Sequence, residues 1–301
     1  MLDLDFAFFN LTDKTKTGLA YKKVFLDRLA PLFFAPRLQR IIKISCLNAC
    51  GGNILLPLGV GNLNKIQQGS KRILALKTGA LLEEYELRYL AVDRRLKNEV
   101  TDICSGQELV YGDNFIKALS HVFIKAFLSR YELNKIIIVG STEDFSCFIS
   151  SLEQYCLPVS IQTIFPQRHE IFVHQLLYEK GQAVSTSYLT PENWGRDDLV
   201  IIFADHTEPI TSKISSGLTI YLNNCSCSLA PALDSDFTLN GLIPALYNLA
   251  PILESCLMAK AGIPDLDSEL INVAEPKSDF ITLENIGHQW GLWDLFLDKV
   301  L

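Results

Sequence analysis

"LNKIIIVGSTEDFSCFISSLEQY", residues 133–155, reads as a strand, a turn and a helix. Ile136–Val139 is an unbroken run of β-branched residues, which suits a parallel strand buried on both faces. A strand–turn–helix of this kind cradles a dinucleotide pyrophosphate when its turn carries three glycines. The first makes the tight turn, the second admits the phosphates, and the third lets the helix pack closely. Here only Gly140 is present, and Glu143 and Ser146 stand at the later positions. Glu143 puts negative charge where a pyrophosphate would meet the helix N-terminus. Glu143 and Asp144 are equally good first-turn residues of a helix with no ligand. The turn alone leaves both readings open.

Around this stretch the pattern is regular from residue 114 onward. "NFIKALSHVFIKAFLSRY" (114–131) places Phe115, Leu119, Val122, Phe123, Ala126 and Phe127 at helical spacing. Downstream come a strand "VSIQTIF" (159–165), a helix "HEIFVHQLLYEKG" (169–181) and a short strand "AVSTSY" (183–188). Two further strands follow, "DLVIIFAD" (198–205) and "GLTIYLNN" (217–224). Such alternation predicts an α/β fold with a parallel sheet, helices on both faces and right-handed crossovers.

Upstream the signals are mixed. "DFAFFNL" (5–11) is a buried strand. "RLQRIIKISCLNAC" (37–50) puts Leu38, Ile41, Ile42, Leu47 and Ala49 on one helical face, ending at Gly51 and Gly52. "NILLPLGVG" (53–61) reads as a strand running into a glycine-bearing loop. Residues 70–100, rich in helix formers and in charges of both signs, read as a solvated helical excursion, with a dimer contact or lid as the alternative.

Composition sets the bounds. With 301 residues the chain holds two ordinary domains. It is 49 % hydrophobic and 20 % charged, a globular composition. Its net charge of −7 speaks against a protein that coats nucleic acid. Asp3 and Asp5 stand where a secretory signal would be basic, and no apolar run reaches the roughly 18 residues of a membrane span. Eight cysteines without such a signal point to reduced thiols and a cytoplasmic protein. Cys46 and Cys50, on the expected helix, and the Cys225-x-Cys227 pair are remote from one another. They read as structural thiols and not as a zinc site.

A nicotinamide site of the NAD type wants an acid about 20 residues past the glycine turn, at the end of the second strand. The sequence there is "TIFPQRH", with Arg168 and no acid. If a dinucleotide binds, Arg168 suits a 2′-phosphate, and NADP is the expected cofactor. The alternative is an exposed loop arginine. The cofactor-binding candidates are therefore Gly140, Ser141, Thr142, Arg168 and Ala204.

The order of these segments, with several local strings, resembles the long-chain acyl-ACP reductase family, whose Rossmann domain is related to that of shikimate dehydrogenases. The likeness runs across nearly the whole chain. "FAFFNLTD" resembles the family's opening strand, and "RLQRIIKISCLNACGGNILLPLG" its helix and following strand. "YGDNFIKALSHVFIKA" is similar to its T-G-N-x-x-T segment. "IIIVGSTEDFS" stands in place of V-G-A-T-G-D-I-G, keeping Gly140, Thr142 and Asp144. "IPALYNLAPILESCLM" resembles the nucleophile helix and "ITLENIGHQWGLWDLFLD" the C-terminal helix.

The resemblance implies a reductase that takes an acyl thioester onto a cysteine and reduces it with NADPH to an aldehyde. A thiolate at a helix N-terminus is acidified by the dipole and made nucleophilic. This chain departs from the pattern at the chemistry, since Pro251 falls where the cysteine should be. The later glycines of the phosphate turn are absent too, and "TLNGLIP" shortens the segment before the nucleophile helix. Cys256, five residues on, lies about 140° round the helix from Pro251. Cys225 and Cys227, after a strand, are the more plausible spare thiols, although loop cysteines without a role are common. A shikimate-dehydrogenase-like reading pairs Lys65 with Asp113 as a proton-transfer couple, against two unrelated surface charges. His206 follows a strand and reads as a loop histidine or a ligand contact, and His288 as part of helix packing beside Trp290 and Trp293.

Two functions follow. One is an NADP-dependent oxidoreductase acting on an acyl thioester or related carbonyl compound. The other is a catalytically degenerate ligand-sensing or assembly protein on the same scaffold. The expected organisation is an N-terminal α/β domain over 1–113 and a Rossmann-like domain over 114–281. A C-terminal helix over 282–301 returns to the first domain to bury Trp290, Trp293, Leu295 and Phe296. Neither nucleic acid nor a membrane span is expected, and a homo-oligomer stays open.

Overall fold

A computed structural model of the protein describes residues 4–12, 14–87, 89–104, 108–140, 145–203, 218–223, 230–261 and 279–300. β1 (Phe6–Leu11) leads through a helical turn into α1 (Lys23–Phe33) and then the hairpin of β2 (Arg37–Ile44) and β3 (Ala49–Leu56). α2 (Val60–Leu63) and α3 (Gln68–Glu84) follow, then β4 (Tyr89–Val92), β5 (Glu108–Val110) and α4 (Asp113–Leu128). The second half alternates β6 (Lys135–Val139), α5 (Phe145–Ser151), β7 (Val159–Gln162), α6 (Glu170–Lys180) and β8 (Val184–Ser187). After β9 (Asp198–Ile202) and β10 (Leu218–Tyr221) come α7 (Pro231–Leu239), α8 (Leu246–Ala261), α9 (Asp279–Gln289) and α10 (Asp294–Val300).

The strands form two five-stranded sheets. The first has the order β2-β3-β1-β4-β5 and is parallel except for the β2–β3 hairpin. The second has the order β10-β9-β6-β7-β8 and every pair in it is parallel. This is a Rossmann-like α/β fold, and the sheet order reverses between β6 and β9.

The hairpin replaces the helix that spacing predicts over 37–50. Ile42 and Ile44 are buried with the exposed Lys43 between them, the alternation of a strand. Asn48, at φ 45°, takes the left-handed conformation that turns the chain back. Gly51 does not end a helix; it sits opposite Phe6 in the middle of β3. A Cβ there would lie 2.3 Å from the Phe6 ring, so the glycine makes room for the aromatic side chain. Periodicity could not separate the two cases, because short apolar runs satisfy both.

The excursion over 70–100 also divides. α3 ends at Glu84, and β4 follows with all four residues buried between β1 and β5. Glu83, Glu84, Glu86 and Arg95 around it are exposed, whereas Asp93 is buried with the strand.

α4 lies between the sheets and is buried on nearly every side, as its apolar composition requires. It packs against α8 and α9, and α8 in turn reaches β1, β4 and β5. One continuous core therefore joins Phe6 and Phe8 of the first sheet to Ile136 and Ile138 of the second. Phe115 holds the C-terminal segment, with ring centroids 5.4 Å from Trp293 and 5.8 Å from Phe296. Trp293 and Phe296 are buried and Leu295 half-buried, whereas Trp290, expected inside, stays exposed. Among the described residues no helix is long and apolar enough to cross a membrane.

Candidate functional site

Parallel strands deliver their following loops to one edge, where ligands of such folds collect. At that edge of the first sheet, β4 runs into Asp93, whose carboxylate accepts the Arg95 backbone N–H at 2.9 Å. The same carboxylate takes the Arg95 guanidinium at 2.6–3.2 Å. That guanidinium lies 3.7 Å over the Tyr247 ring of α8. A cleft of about 340 Å³ opens here, lined by Leu11, Thr12, Val60, Asp93, Arg95 and Ile243 among others.

Behind it lies a denser charge cluster. Gly112 adopts φ 79° and caps α4. A Cβ on it would come within 2.6 Å of Ala250 and of the Pro251 nitrogen, so loop and helix touch backbone to backbone. Asp113 follows, bound by Arg94 at 3.1 Å and by Lys97 at 2.7 Å. Arg94 also donates to the Tyr111 carbonyl. Glu254, projecting from α8, accepts the Phe115 N–H at 2.9 Å and so satisfies one of the open donors at the start of α4. Burial pushes the Glu254 carboxyl up to about 7, the Phe115 N–H draws it down, Asp113 pushes it up, and Lys117 and Arg94 draw it down again. A carboxyl poised near neutrality can hold or release a proton there.

The second sheet presents its own edge. β6 ends at Gly140, which has φ 86° and donates its N–H to the Gln162 carbonyl at 2.8 Å. Gln162 stands at the end of β7, and its side-chain oxygen accepts from Trp194 Nε1 at 3.0 Å and from the Thr190 N–H at 3.2 Å. Arg168 lies just beyond, exposed, with its guanidinium 4.7 Å over the Phe165 ring. The described residues thus place a left-handed glycine after β6 and an exposed cation past β7. Ser141, Thr142, Glu143, Asp144, Ala204, His206, Cys225 and Cys227 lie outside the described residues.

The other candidates fall as follows. Lys65 is exposed just past α2, whereas Asp113 is held by Arg94 and Lys97, so the structure does not assemble the Lys65–Asp113 couple. Pro251 is not at the start of its helix, as expected, but five residues inside α8, which begins at Leu246. Leu253 and Leu257 do face inward. Cys256 is fully buried, and burial pushes its thiol well above the usual range, which keeps it un-ionised and poorly nucleophilic. His288 is half-exposed beside Glu284 at 3.8 Å instead of packed among tryptophans. Cys46 lies in the helical turn that joins β2 to β3 and Cys50 on β3, so no helix carries both. Among the described residues no group of three or more His, Cys, Asp or Glu side chains is placed to hold a metal ion.

Arg94, Lys97, Lys117 and Glu254 are the residues that spacing missed. The four-residue strand Tyr89–Val92 running straight into Asp93 was the available signal for the first two. Glu254 gave none, because a glutamate in a helix ordinarily faces water.

No protein-family model matches the chain, and no curated protein sequence matches it. In its structure the chain is similar to L-tryptophan dehydrogenase from Nostoc punctiforme, at 11 % identity and TM-score 0.44, over 97 % of this chain and 80 % of that one. It is also similar to anabolic ornithine carbamoyltransferase from Campylobacter jejuni, at 12 % identity and TM-score 0.38, over 83 % of this chain and 87 % of that one. Neither likeness assigns a role to any residue here.

Proposed function

We propose that this protein is an NADP-dependent oxidoreductase-type protein related to the acyl thioester reductases, in which the thioester step is altered or lost. The observation that carries the reading is a left-handed Gly140 after β6, where the sheet order reverses, with an exposed Arg168 past the adjacent strand β7. The strand end that would offer an acid to ribose hydroxyls holds Gln162 instead, and its amide is engaged by Trp194 and Thr190. Arg168 is left exposed, suited to the 2′-phosphate. A bound nicotinamide supplies hydride, which reduces a ketone or aldehyde without any cysteine. In this reading residues 1–113 form the substrate-type domain and 114–281 the cofactor domain, and the aromatic side chains of the C-terminal segment cover Phe115 of the latter.

Pro251 and the buried Cys256 leave the nucleophile helix without a reactive thiol, so no acyl-enzyme forms on it. A second reading, a catalytically degenerate ligand-sensing or assembly protein on the same scaffold, is favoured by the neutralisation of Asp113 by two cations.

Calorimetry should show NADPH binding more tightly than NADH, and Arg168→Ala should narrow that gap about tenfold, the worth of one charge-assisted contact. No NADPH binding would sink the first reading. Binding with no oxidation of NADPH by aldehydes or ketones would select the second. Intact-mass measurement after incubation with long-chain acyl-CoA should show no adduct, and one mapping to Cys225 or Cys227 would restore covalent chemistry.

A further inference from the structure

α1 presents an apolar face that no described element covers. Leu26, Ala30 and Pro31 turn inward, while Val24, Leu32 and Phe33, with Leu19 from the preceding turn, are each 71–72 % exposed. Phe25 is more than half exposed as well. α3 lies alongside: the Gln67 N–H donates to the Asp27 carboxylate, and Lys77 donates to the Pro31 carbonyl at 2.6 Å. At about 100° per residue, Val24 and Leu32 come next round α1 from that seam, and Ile73 and then Leu76 come next round α3 on its other side. Ile73 and Leu76 are exposed too, so one apolar strip spans both helices.

The strip sits in the most basic part of the chain. Between Leu11 and Arg40 there are seven basic residues and two acidic ones, in a chain whose remainder holds 20 basic and 32 acidic. The net charge of the whole chain hides this segment. Lys16, Lys22, Lys23 and Arg28 are all exposed around the strip.

We propose that α1, the turn before it and the outer edge of α3 form a peripheral docking surface for an anionic membrane. Large apolar side chains flanked by lysines are what an interfacial helix offers to the headgroup region. Charge selects the occupant: the basic strip is drawn to anionic headgroups while the acidic remainder is repelled, which orients the molecule. Shape agrees. Side chains standing this far out of a convex helix pair need no matching pocket in a fluid acyl layer, whereas a protein partner would have to supply one.

The test uses the full chain with sedimented vesicles of phosphatidylcholine alone and of phosphatidylcholine mixed with phosphatidylglycerol. Binding is expected only to the anionic vesicles, weakening at high salt. Lys22→Glu should weaken it at least fivefold, the worth of one basic residue at such a surface. Leu32→Ser/Phe33→Ser should weaken it at least tenfold. Both positions are solvent-facing, and circular dichroism checks that the variants remain folded. Absence of binding to anionic vesicles overturns the proposal, as does undiminished binding by the folded variants. A dimer in light scattering that Phe33→Ser dissolves would show a second copy on this face and overturn it equally.

Discussion

Two glutamates on neighbouring helices press against α4 and meet opposite fates. Glu254 of α8 is 5 % exposed and Glu284 of α9 is 2 % exposed, so water has left both. Burial pushes both carboxyls up. At Glu254 one backbone N–H and two more distant cations answer it, with Asp113 opposing, and the group ends near 7. At Glu284 the hydrogen bonds from His121 and from Lys125 at 2.6 Å outweigh burial, and the carboxyl is held below its usual range. Tyr155 and Gln154 approach the other ring nitrogen of His121 at 2.8 and 3.0 Å, which leaves Nδ1–H to face Glu284. Desolvation alone thus does not set the sign of a buried acid's shift; the number and charge of its donors do.

The largest effect should come from breaking the well-served site. Glu284→Ala leaves the buried His121 Nδ1–H without its acceptor and should cost about 3 kcal/mol, read as a lower urea midpoint. Glu254→Gln should act in the other direction. The folded carboxyl titrates near 7 and the unfolded one near 4.5, so the folded state binds the extra proton between those values and stability falls as pH rises through them. The amide keeps an acceptor for the Phe115 N–H and carries no charge. Above pH 7 the variant should be more stable by up to about 3 kcal/mol, with the fall between pH 4.5 and 7 flattened. Unchanged pH dependence would show that Glu254 does not titrate there. Glu284 gives the mirror image: its contribution is present above its unfolded value and is lost as pH falls through its lower folded one. The smallest effect belongs to Lys125→Ala. Its side chain is 46 % exposed, and removing it should cost only about 1 kcal/mol while His121 keeps Glu284 ionised.

The contrast also shows what the sequence could reveal. The second sheet was legible because strands buried on both faces are written as apolar runs, as in Ile136–Val139 and Leu199–Ile202, with helices between them. The first was less so. In the hairpin over 37–56, Gly51 looks like a helix stop until Phe6, far away in sequence, is seen to need its space. β4 is four residues in a charged, leucine-rich tract, too short to declare a period. Asp113 could be singled out from "YGDN" beside a helix start, but its partners Arg94 and Lys97 come from a segment that reads as wet. Glu254 and Glu284 were invisible as buried acids, because a helical pattern does not say which charged residue a neighbouring helix will cover.

α4 carries a further consequence. A hinge needs a segment that can bend with little loss of contact, and α4 has buried side chains on nearly every face, reaching the first sheet through α8 and sharing one core with the second. Swinging one sheet against the other would open the Phe115–Trp293–Phe296 cluster and unseat Gly112 from α8. The two edges therefore keep a fixed spacing, like jaws set on one axle. A molecule long enough to touch both edges would meet a spacing set by this packing and not one that adapts to it.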